Sequence, residues 1–125
     1  MILLDTHILL SALGQVDLEL PSSVQHKLVG IDYANVSVVS IWEIAIKIRI
    51  GKMRLNFPLA NLPTMIERQN IAILDITKDH ALVAIGHEPI TKDPFDRLLL
   101  GVCVVEGLKL LTIDKALVDH PLVWR

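Results

Sequence analysis

The 125-residue chain is 52% hydrophobic and 21% charged, which excludes a disordered polymer and fits one domain, residues 1–125, with its own core. The formal charge of −2 does not exclude a nucleic-acid partner, because setting aside a few ligand carboxylates reverses its sign. The single cysteine, Cys103, cannot close an internal disulfide, so composition points to a reducing, cytoplasmic setting. No apolar run approaches the ~20 residues of a membrane helix, and the opening MILLDTH lacks the basic start of a secretion signal.

In chain order, Ile2 to Leu4 reads as a buried strand and Thr6 to Leu13 as a short helix. Pro21 to Val29 reads as a second helix, with Pro21 in its first turn. Val36 to Val39 reads as a second strand. Ser40 to Ile50 is the clearest helix, stopped by Gly51. Leu59 to Gln69 is helical with an interruption at Pro63, and Ile71 to Leu74 is a third strand. Lys78 to Ile85 is a short helix starting at Asp75 or Thr77 and ending at Gly86. Pro94 to Glu106 is a long helix stopped by Gly107, followed by a strand at Lys109 to Leu111. Leu122 to Trp124 reads as a fifth, edge strand. Short apolar strands alternating with helices predict an open parallel α/β sheet, whose ligands sit beyond the carboxyl ends of the strands.

Four acids fall near those ends. Asp5 follows the first strand and Asp114 the strand at 109–111; Glu43 and Asp96 lie on the first turns of helices. Each has a structural explanation. Ser40 and Glu43 match a capping box, Asp93-Pro94-Phe95-Asp96 matches an aspartate cap with proline at the first helical position, and Asp5 and Asp114 could cap short helices after them. As a set they say more. Gathered carboxylates repel one another and stay ionised only with cations, and an all-oxygen donor set suits Mg²⁺ or Mn²⁺. Such ions activate water and stabilise the leaving oxygen of a phosphodiester without a protein nucleophile.

At these residues the sequence resembles a PIN domain, specifically the VapC-type toxins. The pieces that carry the resemblance are MILLDTH, SIWEIAIKIRIGKM, KDPFDRLLLGVCVVEGL and KLLTID, in that order and spanning essentially the whole chain. The resemblance implies a three-layer sandwich with a five-stranded parallel sheet, order 3-2-1-4-5, flanked by helices. It implies a Mg²⁺ or Mn²⁺ site on Asp5, Glu43, Asp96 and Asp114, and cleavage of RNA (a tRNA or rRNA among the candidates) to 5′-phosphate and 3′-hydroxyl ends. It further implies a homodimer inhibited by a cognate antitoxin. Asp93 is read as a cap first and an additional ligand second, and Thr112 as a residue orienting a water or an aspartate.

Other residues have plainer readings. Lys47, Arg49, Lys52 and Arg54 could contact phosphate, but Lys47 stands four residues after Glu43, the favoured spacing for a helical ion pair. Arg97 could touch RNA or pair with an acid. His7 is read as a packing or hydrogen-bonding residue, because no second histidine stands opposite to complete an acid/base pair. Trp42 and Trp124 read as core or interface anchors, for lack of accompanying aromatics. Two aspartate-based phosphoryl-transfer alternatives fit less well. A haloacid-dehalogenase phosphatase needs a second aspartate where His7 stands, and a receiver module an acidic pair where Leu4 precedes Asp5. A PIN fold that only binds a partner, and a flap-type DNA nuclease, stay open.

Overall fold

The computed structural model describes residues 1–15, 20–86, 88–89 and 92–125. Its sheet is parallel throughout, built from β1 (Ile2–Leu4), β2 (Ala34–Ser37), β3 (Ile71–Leu74) and β4 (Lys109–Leu111), in the order β3-β2-β1-β4. The helices are α1 (Thr6–Ala12), α2 (Ser22–Val29), α3 (Val38–Arg49), α4 (Leu62–Glu67), α5 (Lys78–Leu82) and α6 (Pro94–Glu106). A 3₁₀ turn, Leu59–Asn61, leads into α4, so Pro63 falls in the helix's first turn, where its missing N–H costs nothing.

Alternation along the strands sends neighbouring leucines into different cores. Leu4 and Leu111, paired across β1 and β4, join Ile8, Leu9, Ile44, Leu62 and Ile66 on one face. Leu3 and Leu110, the preceding pair, join Leu99, Leu100, Val102 and Cys103 on the other. The result is the expected helix–sheet–helix sandwich, with the long α6 on the second face. Cys103 is a buried member of that core, where desolvation pushes its thiol up to about 12.

The expected five-stranded sheet is corrected to four strands. At Leu122 to Trp124 the chain makes one parallel bridge, Val123 to Leu110. Leu110 N–H donates to the Leu122 carbonyl and Trp124 N–H to the Leu110 carbonyl, both at 2.8 Å. The ladder goes no further: Pro121 brings no N–H, and turns occupy 115–122.

The second strand and the following helix are also displaced. β2 ends at Ser37, where β3 ends opposite it at Leu74, so Val38 and Val39 have no ladder to join and open α3 instead. Ser37, not Ser40, is the N-cap, its hydroxyl accepting from Val39 N–H at 3.1 Å. The capping box read at Ser40 and Glu43 is therefore absent, and Glu43 stands a turn deeper in α3 than its first turn. α2 begins at Ser22 with Pro21 as its cap residue, and α5 ends at Leu82, short of Ile85.

Candidate metal centre

Parallel strands all end on the same edge, so residues after β1, β2 and β4 meet there. A cavity of about 320 Å³ opens at that edge, lined by Asp5, Thr6, His7, Glu43, Lys47, Asp93, Asp96, Ile113 and Asp114. All four acids of the expected site line it, together with Asp93.

Each acid is held by a different local device. Asp5 caps α1, accepting from Thr6 N–H at 2.6 Å, while its other oxygen accepts from the Thr112 hydroxyl at 2.5 Å. Those bonds use two of about four lone-pair sites on an ionised carboxylate. Thr112 Oγ1 also accepts from Asp114 N–H at 3.0 Å, tying the loop after β4 to Asp5. Asp114 is exposed at the lip and accepts from Ala116 N–H at 2.9 Å, capping a turn rather than a helix. Asp93 caps α6 by accepting from Phe95 N–H at 2.9 Å, which leaves Asp96 as the third residue of that helix, facing the cavity. Glu43 accepts from the Thr6 hydroxyl at 2.7 Å and pairs with Lys47 at 2.9 Å. Thr6 also contacts Ser40 Oγ at 3.0 Å, so this buried hydroxyl pair fixes α3 against α1. Thr6 was not singled out from sequence; its signal is only its position, directly after Asp5.

Electrostatically the cavity is uncomfortable when empty of cations. Burial pushes the Asp96 carboxyl up to about 7, and Asp93, Asp5, Asp114 and Glu43 push the same way. Burial also raises Asp5, against the lowering effect of its bonds to Thr112 and Thr6, with Glu43 adding to the rise. Against five carboxylates the lining offers one lysine, and that lysine already serves Glu43. Among the described residues no three His, Cys, Asp or Glu side chains are yet drawn together as ligands of one ion. The donor chemistry nonetheless fits a hard divalent cation: oxygen ligands, surplus negative charge, and two buried acids whose charged forms an ion would favour.

The remaining expectations divide. Lys47 makes the helical ion pair with Glu43, though it also lines the cavity. Arg97 does not line it; its guanidinium bonds the Val83 carbonyl at 2.8 Å and Glu88 at 3.2 Å. His7 is exposed at the cavity instead of packed. Trp42 is neither in the core nor without aromatic company. It is 57% exposed and meets Phe95 edge-on, ring centroids 5.5 Å apart at 61°. Trp124 is half-buried against the first core, with the Lys27 ammonium 5.2 Å from its ring centroid.

Comparisons with known proteins agree with this architecture. Among solved structures the chain is similar to one described as "Toxin-antitoxin complex from Klebsiella pneumoniae". The two share 20% identity and a TM-score of 0.65, over 100% of this chain and 97% of that one, a likeness of fold. No curated protein matches the sequence. A family model described as "PIN domain" matches residues 2–121, nearly the whole chain, and displaces the phosphatase and receiver alternatives. The chain belongs to the PIN domain family.

Proposed function

We propose that this protein is a divalent-metal-dependent endoribonuclease and the toxin half of a VapC-type toxin–antitoxin pair. The observation that carries the reading is the acidic cavity at the strand ends, where burial and like charges hold Asp96 near neutrality. Asp5, Glu43, Asp96 and Asp114 are the residues that would hold Mg²⁺ or Mn²⁺. When bound, the metal supplies acidification of a water and neutralisation of charge at the phosphodiester. Asp96 gives up its proton on loading, Thr112 keeps the Asp5 carboxylate turned into the cavity, and Thr6 with Lys47 does the same for Glu43. The products end in 5′-phosphate and 3′-hydroxyl.

The toxin role draws on the solved toxin–antitoxin complex that shares this fold. In that reading a cognate antitoxin covers the acidic rim, the active form is a cytoplasmic homodimer, and one domain carries the whole activity. The test is cleavage of total RNA, including folded tRNA and rRNA, by antitoxin-free protein with Mn²⁺, with EDTA, and by Asp5→Asn with Mn²⁺. Cleavage by the wild type with metal alone is expected. Intact RNA in every arm would overturn the ribonuclease reading and favour a PIN fold that only binds a partner.

A further inference from the structure

The lining of the site is predominantly acidic, five carboxylates against one lysine. RNA is a polyanion and the cavity is acidic; its one lining lysine, Lys47, pairs with Glu43, Arg97 bonds Glu88 and the Val83 carbonyl, and Lys92 and Lys115, beside Asp93 and Asp114 in sequence, are exposed. A grip on substrate that does not depend on positive charge would suit such a site.

The aromatic pair supplies one. Trp42 immediately precedes Glu43, and Phe95 immediately precedes Asp96; both acids line the cavity, whereas neither ring does. Consecutive Cα atoms lie ~3.8 Å apart, so the two rings branch from backbone that adjoins the carboxylate-bearing residues, outside the cavity lining. Phe95 is half-buried and packs on the second core. Its edge-on contact with Trp42 anchors the indole, and 57% of the tryptophan remains in solvent. An immobilised, open aromatic face costs little further ordering when a flat ring settles on it, and every nucleobase offers such a face.

Resting on the ribonuclease reading, we propose that Trp42, held by Phe95, is a stacking platform for an unpaired nucleobase beside the scissile phosphate. The preferred substrate is therefore single-stranded at that position, because a base within a duplex has no free face.

The test uses the Trp124→Phe protein, in which Trp42 is the sole tryptophan, loaded with Ca²⁺. Its fluorescence is titrated with a short oligoadenylate and with a strand of equal length and charge lacking the bases. Oligoadenylate is expected to quench Trp42, and the abasic strand to leave it nearly unchanged. In steady-state cleavage with Mn²⁺, Trp42→Ala should raise KM about tenfold or more at little cost to kcat, with Trp42→Phe recovering most of the loss. Unchanged melting temperatures keep the comparison clean, as expected for so exposed a side chain. Equal quenching by the abasic strand overturns the proposal. So does an unchanged KM, or a Trp42→Ala protein that dissociates from dimer to monomer with undiminished RNA affinity, which would make the indole an interface between copies. RNA cleavage by wild type with Trp42 unmoved removes only the stacking platform; no cleavage and no binding remove the ribonuclease reading with it.

Discussion

Asp96 concentrates the chemistry of this fold in one side chain. Its carboxyl is raised from 3.8 to about 7, so the folded chain holds a proton that the unfolded chain has lost from about pH 4 upward. Folding stability from this group is therefore full at low pH, declines as pH rises from about 4 to 7, and then levels. Asp5 contributes in the same direction. The melting temperature of metal-free protein should fall between pH 5 and pH 8. Asp96→Asn should flatten that fall and melt higher than wild type at pH 8, by roughly 3–5 °C. Scanning calorimetry across pH checks this; a pH-independent wild type would show that Asp96 is not strained. Cleavage should respond oppositely, falling below pH 7 as the ligands take up protons. Thr112 offers a second test, because its hydroxyl both donates to Asp5 and accepts from Asp114 N–H. Thr112→Val keeps the shape and removes both bonds. It should cost about 1–2 kcal/mol of stability in urea and lower kcat about tenfold. Full activity would mean that Asp5 needs no such orientation.

Among the elements, α5 and α6 pack closely at Gly101. A Cβ on Gly101 would lie 2.5 Å from the His80 carbonyl oxygen, a backbone atom that cannot swing aside. Replacing a helical glycine by alanine normally gains up to ~1 kcal/mol in propensity, but forcing two helices apart costs about 1–3 kcal/mol. The clash should win, so Gly101→Ala is expected to destabilise the protein, measured by urea unfolding; a stabilised variant would show that α5 shifts freely. α6 was legible in the sequence at both ends, since its signals are local. Asp93 caps it, Pro94 occupies its first position, and Gly107 takes the left-handed conformation that closes it. The start of α3 was not legible, because Val38 and Val39 carry strand propensity. What decides their conformation is that β3 stops opposite Ser37.

At the scale of the whole molecule, the carboxylate cavity gathers like charge that a bound cation would relieve. Saturating Mn²⁺ should raise the melting temperature at pH 7.5 by several degrees and do much less at pH 5.5, where Asp96 is protonated. EDTA should abolish the difference; an unaltered melting curve with metal at pH 7.5 would count against the centre. By itself the sequence determined β1, β3, β4 and α6, the alternation that feeds two cores, and the chemical character of the acids. Each of these is written in contiguous residues: apolar runs, caps and a closing glycine. The tertiary structure decided the shape of the cavity in which acids from four separate segments meet, a convergence the strand ends had already suggested, and added Asp93 and Thr6 to its lining. It also decided that Thr6 reaches Glu43 across 37 positions and Thr112 reaches Asp5 across 107. The fifth strand reduced to one bridge and the pairing of Trp42 with Phe95 belong to the same class. Distances between residues remote in the chain are set by parallel strand register and by helices packing on both faces, and no local run of residues encodes them.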